Sequence, residues 1–198
     1  TKPIGVLSSI QWDSMTSDNQ KKSAQAAFNS ALRSHKVPLL GGDFGTAAST
    51  VMTTTGLAIS ETMPTLRTGL QEGDWLVRTG KVGIGAALAF RLLNGETNEA
   101  FPEELYRPTA RIQEGLVLSE HATACIDTSD GVMTSLDLLC DINNVSAEIV
   151  VSDKLYAPEA AKYCDQRNIP CAALLFAEHG DYELLAGVPD KSLDKVLS

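Results

Sequence analysis

The chain has 198 residues, 43% of them hydrophobic, which allows one large domain or parts of two around a real core. Sixteen Lys and Arg stand against 25 Asp and Glu, giving a net charge of −9, and no basic cluster exceeds Lys21-Lys22. This argues against nucleic acid as the main partner, because phosphate-backbone binding requires a localised positive surface. Apolar runs such as Cys171 to Ala177 are far too short to span a bilayer.

In chain order, Ile4 to Trp12 reads as a strand ending in a polar turn. From Ser17 to Ser34 the residues Ala24, Ala27, Phe28, Ala31 and Leu32 recur at helical spacing, with Ser17 or Asp18 available as cap. Val37 to Leu40 forms a short strand that Gly41-Gly42 is expected to break. Thr50 to Ile59 is rich in β-branched residues and alternates like a sheet strand. A joint is expected over Glu61 to Gly73, dividing the chain into domains 1–62 and 63–198. Beyond it Asp74 to Arg78 reads as a strand, Thr79 to Gly85 as a glycine-rich turn and Ala86 to Leu93 as a helix. A polar loop over Asn94 to Pro108 precedes a helix from Thr109 to Ser119. The apolar stretch Ala122 to Ile126 leads into a helix over Val132 to Cys140. Val145 to Val151 and Tyr182 to Val188 read as strands, with a helix at Pro158 to Arg167 between them. The alternation predicts a mixed α/β architecture.

Four cysteines, Cys125, Cys140, Cys164 and Cys171, share no C-x-x-C spacing, and His35, His121 and His179 are scattered, so zinc is not expected. The cysteines read as small buried hydrophobes in a reducing cytoplasm. No tripartite secretory signal opens the chain, which agrees with a cytoplasmic expectation.

The densest chemistry lies in Ile126-Asp127-Thr128-Ser129-Asp130-Gly131, where two carboxylates and hydroxyls meet between a strand and a helix. Clustered hard oxygen ligands suit magnesium. The same residues also suit an ordinary helix cap, with Ser129 or Asp130 accepting from the next turn and Asp127 a solvated loop acid. Both readings stand at this level. The glycine-rich turn around Lys81 presents backbone N–H groups as phosphate sites do, yet it meets neither the Walker nor the Rossmann pattern, and a tight turn explains it. Gly41-Gly42-Asp43 permits close backbone approach beside an acid. Glu178-His179-Gly180-Asp181-Tyr182-Glu183 is a third acidic group ahead of a strand, or a charged loop.

Taken together and in order, these segments resemble thiamine-monophosphate kinase, within the wider aminoimidazole ribonucleotide synthetase superfamily. The likeness rests on Val37 to Asp43, Leu66 to Asp74, Leu105 to Arg111, Ile126 to Gly131 and Asp181 to Leu185. It implies a two-domain α/β subunit with the upstream and downstream ends of the fold missing. Residues 1–62 would be the second half of an ATP-binding and dimerisation domain, and 63–198 an incomplete C-terminal domain. It implies a homodimer joined through strands of the first domain, with nucleotide and metals between domains. Asp43, Asp127 and Asp130 would be Mg2+ ligands; Gly42, Arg67 and Ser129 would contact ATP; Glu178 or Glu183 would face the substrate. The implied reaction is transfer of the ATP γ-phosphoryl group to thiamine monophosphate, giving thiamine diphosphate.

Three departures stand out. Phe44 replaces the family's usual threonine after Gly-Gly-Asp, and Glu178-His179-Gly180 replaces the usual Gly-Gly-Glu ahead of Asp181-Tyr182. The family's upstream aspartates have no counterpart in the sequence. Two other readings therefore stay open: another ATP-using enzyme of the superfamily with a different acceptor, or a nucleotide-binding or dimerising relative without catalysis.

Overall fold

The structure, a computed structural model, describes residues 2–60 and 63–198. The chain divides into two units, Thr1–Pro64 and Thr65–Ser198, each with its own three-stranded sheet. The expected domain boundary after residue 62, and the start of the joint at Glu61, lie outside the described residues.

In the first unit β1 (Lys2–Asp13) runs between β2 (Leu39–Ala47), to which it is parallel, and β3 (Val51–Ile59), to which it is antiparallel. Parallel pairing requires a crossover, and α1 (Asp18–Ser34) supplies it. Ser17 starts that helix as the sequence suggests: its hydroxyl accepts the Gln20 N–H, while the Gln20 side chain accepts the Ser17 N–H at 2.9 Å. Alternation along β1 buries Val6, Ser8, Ile10 and Trp12 on one face. Gly41-Gly42 does not end the second strand. β2 continues through both glycines, pairing Gly41 with Leu7 and Gly42 with Ser8, because the strand runs close against β1 there: a Cβ at Gly42 would strike the Ser8 carbonyl. β3 is exposed along its whole length, apolar residues included.

In the second unit β6 (Leu184–Val188) lies between β4 (Trp75–Arg78) and β5 (Ala124–Asp127), antiparallel to both. Period-two alternation sorts the two faces. Ala124, Ile126 and Leu185 pack with Leu136 and Leu139 of α4 (Val132–Asn143). Ala186 and Val188 face Leu118 of α3 (Ile112–His121). A third cluster joins α2 (Ile84–Leu93) to α5 (Pro158–Arg167), and α6 (Leu193–Leu197) follows the last strand. Phe101 is 2% exposed and meets Tyr163 edge to face at 5.6 Å. The Tyr163 ring also receives the Arg167 guanidinium, 4.3 Å from its centre and paired with Glu96 at 2.8 Å.

Three expectations need correction. Val145 to Val151 forms no strand: its apolar residues suit one, but among the described residues its peptide groups find no ladder partner, and Val150 is 83% exposed. The stretch from Asn94 to Pro108 is more than a polar loop, since it carries Phe101 into the core and a 3-10 turn at Glu103–Leu105. Only Cys164 among the cysteines is fully buried, and burial pushes its thiol up to about 11. No helix among the described residues is long and apolar enough to cross a membrane.

Removing the Phe101 ring leaves a void between α2 and α5 that the backbone cannot close. Phe101→Ala should destabilise the second unit by about 3–5 kcal/mol, read as a lower midpoint in urea titration.

Candidate functional site

Asp127 is the last residue of β5, and its placement follows from what precedes and follows it. Ala124 and Ile126 are buried against β6 and α4, so the alternating partner positions set the strand's register. Thr128 is fully buried and ties the end of β5 to the chain ahead of β6. Its N–H donates to the Glu183 carbonyl at 2.8 Å, and its hydroxyl oxygen accepts the Glu183 N–H at 3.2 Å. With Thr128 turned inward, Asp127 and Asp130 are both left exposed and Ser129 half-exposed.

The turn closes at Gly131, where φ is 93° and a Cβ would strike the Ala177 carbonyl. Ser135, one turn into α4, places its hydroxyl within hydrogen-bond reach of the Asp127 and Gly131 carbonyls, at 2.9 and 2.8 Å. The ordinary cap reading of this segment fails: α4 has no side-chain cap, from Ser129, Asp130 or any other residue. Ser129 turns back instead, and its hydroxyl donates to the Asp127 carboxylate at 2.5 Å. That hydrogen bond holds Asp127 below the usual carboxylate range against the opposing effect of burial, with Arg67 helping from 3.4 Å. Arg67 is itself half-exposed, so the pair is solvated and weak. Thus Arg67, Asp127, Ser129 and Asp130 stand together at one end of β5.

Glu178 and Glu183 have different fates. Glu178 is exposed on the loop that packs under Gly131. Glu183 is 7% exposed, and Arg111 grips its carboxylate with two hydrogen bonds, from Nε at 2.6 Å and Nη2 at 2.5 Å, while Thr79 donates a third. Burial pushes the Glu183 carboxyl up, but hydrogen bonds from Arg111 and Thr79 outweigh it and hold the group below its ordinary range.

The glycine-rich turn is accounted for by a residue that sequence reasoning left without a role. Asp181 accepts the N–H groups of Gly83 at 2.9 Å and Gly85 at 2.8 Å, and pairs with Arg78 at 2.9 Å, both side chains nearly buried. An internal carboxylate therefore occupies the place a phosphate would take at the start of α2. The signal that pointed this way was Arg78 itself, a cation at the end of an apolar strand that needed a buried acid. Arg111 likewise lies within Leu105 to Arg111, which carries part of the family resemblance, though nothing in that segment names Glu183 as its partner.

In the first unit Gly42 and Asp43 lie side by side on β2, with Asp43 exposed. Between this sheet and α1 is a cavity of about 210 Å³, lined by Ser8, Gln25, Phe28, Asn29, Gly42 and Phe44. The Ser8 hydroxyl is buried there with no hydrogen-bond partner.

No protein-family model matches the chain. It is 31% identical over 160 residues to the thiamine-monophosphate kinase of Halobacterium salinarum, a match covering 78% of this chain and 51% of that protein. To the thiamine-monophosphate kinase of Buchnera aphidicola it is 26% identical over 181 residues, covering 88% and 55%. The chain thus spans little more than half the length of these curated relatives. Among solved structures, AaThiL complexed with AMPPCP and TMP superposes with a TM-score of 0.79 at 24% identity, over 96% of this chain and 63% of that one. The hydrogenase maturation protein HypE gives 0.80 at 14% identity, over 99% and 62%. The mixed α/β fold is the one these proteins share.

Because Glu183 is ionised at lower pH in the folded chain than in the unfolded one, its contribution to stability is complete above the usual carboxylate pKa. It is lost as pH falls through the depressed folded value. Glu183→Gln should lower stability at neutral pH by about 1–3 kcal/mol and flatten the decline below about pH 4.3. Urea midpoints measured at a series of pH values check both.

Proposed function

We propose that this chain, thiamine-monophosphate kinase-like in sequence and fold, performs ATP-dependent phosphoryl transfer to thiamine monophosphate, yielding thiamine diphosphate. The observation that carries the reading is the end of β5. Two exposed carboxylates, Asp127 and Asp130, stand beside a helix start that no side chain caps. Relatives bearing the name of that kinase support the acceptor, and the neighbour solved with AMPPCP and TMP supports a nucleotide and a phosphate ester on this fold.

The chemistry explains the composition of the site. The acceptor phosphate oxygen is already anionic near neutral pH, so no strong general base is required. The obstacle is repulsion between polyphosphates, and catalysis then consists of positioning and charge neutralisation. Among the described residues no group of three or more His, Cys, Asp or Glu stands ready to hold a metal. Two carboxylates nevertheless fit magnesium, which commonly takes one or two and fills its other positions with water and substrate phosphates. Asp127 and Asp130 would hold such an ion in the second unit, and exposed Asp43 is the candidate ligand of the first. Magnesium held by these carboxylates would neutralise phosphate charge and align the two phosphates. Ser129 and Arg67 offer a hydroxyl and a guanidinium to the nucleotide, and the start of α4, which no side chain caps although the Met133 N–H donates to the Leu175 carbonyl at 3.3 Å, favours an anion.

We assign the first-unit cavity to the nucleotide base. Its volume of about 210 Å³ suits a purine, Phe28 and Phe44 give aromatic walls, and Ser8, Gln25 and Asn29 supply hydrogen-bonding groups. Gly42 on the same wall allows close approach, as the family resemblance implies for an ATP contact. Phe44, which departs from the family pattern, is thereby given a use. Of the two substrate-side candidates, exposed Glu178 is the one free to meet an acceptor in this arrangement, while Glu183 holds the internal pair.

A second copy of the chain is the proposed partner of the first unit. Val51, Met52, Leu57 and Ile59 of β3 are between 41% and 59% exposed, an apolar strand that a soluble monomer rarely leaves uncovered.

Asp130→Asn should leave the fold intact, since the side chain is exposed and makes no hydrogen bond among the described residues. It should lower magnesium-dependent transfer at least as much as the roughly 100-fold loss seen when groups supporting metal ligands are removed. Unchanged turnover at limiting magnesium removes Asp130 from the metal set, and failure of the parent chain to bind Mg-ADP by calorimetry removes the kinase reading. For the dimer, Leu57→Lys should shift sedimentation to the monomer; an unchanged sedimentation coefficient rejects β3 as the contact.

A further inference from the structure

We infer that Tyr182, backed by Tyr106, is the seat for the cationic aromatic ring of the acceptor. The inference rests on the phosphoryl-transfer reading and deepens it by naming what selects the acceptor. Three observations on Tyr182 itself converge. Tyr182 is 54% exposed, large for an aromatic residue placed between two anchored neighbours. Its φ is 57°, the left-handed region that bulky residues rarely adopt. The anchoring on either side shows what holds it there. Asp181 is fixed by Gly83, Gly85 and Arg78, and Glu183 by Arg111 and Thr79, so both carboxylates point inward. The residue between them is turned out to solvent by neighbours that cannot yield. Backbone strain of this kind, maintained on a surface loop by buried ion pairs, is a feature of ligand clamps.

The second ring sets the geometry. Tyr106 lies 6.5 Å from Tyr182 between centroids, tilted by 53°, so the rings form an open V rather than a closed stack. Tyr106 is fixed through its hydroxyl, which donates to the Gly180 carbonyl at 3.1 Å. The N–H of Gly180 in turn donates to the Ser129 carbonyl at 3.0 Å. Two hydrogen bonds thus join Tyr106, the ring that faces Tyr182, to the turn that carries Asp127 and Asp130. Gly180 is required for this approach, because a Cβ there would strike the Thr128 carbonyl.

The charge of the surroundings selects the ligand class. Glu178 is exposed on the same loop, and the aspartate turn adds Asp127 and Asp130. Aromatic faces beside carboxylates favour a cation over a neutral ring. Thiamine monophosphate joins a phosphate to a positively charged thiazolium ring. A phosphate at the carboxylate end and a cation on Tyr182 match the two ends of that molecule.

The test is calorimetric binding of thiamine monophosphate to the intact protein and to two variants, with Mg-ADP titrated in parallel. Tyr182→Gly removes the ring and relieves the left-handed backbone, so the fold is retained or stabilised. Tyr182→Phe keeps the aromatic face. Expected is a loss of affinity for thiamine monophosphate of about tenfold in the glycine variant, near-parent affinity in the phenylalanine variant, and no loss for phenyl phosphate, which carries no cation. Unchanged thiamine monophosphate affinity in Tyr182→Gly, with Mg-ADP still bound, overturns the seat and leaves the kinase reading standing. Equal losses for phenyl phosphate and thiamine monophosphate also overturn it, since recognition would not depend on the cation. Absence of Mg-ADP binding in the parent chain, with thiamine monophosphate binding still sensitive to Tyr182, keeps the seat and rejects the kinase reading.

Discussion

The second unit depends on the way Glu183 is held at both ends. Its main chain exchanges hydrogen bonds with Thr128, which fixes the end of β5, and its carboxylate is clasped by Arg111 and Thr79. A charge this little exposed is tolerated only when its partners satisfy it, so the strand ends are drawn to one place. Two steps away Asp181 does the same for Arg78 and the start of α2. These two acids pair with Arg111 and Arg78 inside the unit, while Asp127, Asp130 and Glu178 are left exposed.

Much of this was legible in the sequence where local signals agreed with long-range pairing. The helical spacing from Ser17 to Ser34 with a cap at its start, the helix at Pro158 to Arg167 and the alternation of Thr50 to Ile59 each gave an element close to the observed one. The aspartate hexapeptide stood out because it placed hard ligands between a strand and a helix. What could not be read locally was the partner of each charge. Asp181 and Gly83 are far apart in sequence, and nothing in either segment names the other. The glycine-rich turn could therefore be read only as a tight turn, and the carboxylate that its amides hold was not visible from the segment itself. Val145 to Val151 failed for the complementary reason: a strand pattern without a neighbour to pair with does not make a ladder.

The first unit shows how sparse burial and ligand capacity go together. α1 has no fully buried residue, and it faces the sheet across a cavity rather than through a close-packed seam. A hydroxyl left without a partner there is costly unless something binds it, which gives the hollow a polar preference despite its aromatic walls. The apolar strand at the sheet's edge is similarly unresolved within one chain. Both features leave this unit short of internal packing, whereas the second unit assembles three clusters of its own.

Two corners of the second unit, at Gly83 and Gly131, are built alike, each a strand leading through a glycine of positive φ into a helix. Asp181 plugs the first, so an incoming oxyanion competing for that corner would have to evict a resident acid from its arginine. At the second no carboxylate is lodged, and a backbone carbonyl, that of Leu175, takes only the Met133 N–H. Selectivity between look-alike binding corners is thus settled inside the protein, by where a single carboxylate has been spent, before any solute arrives.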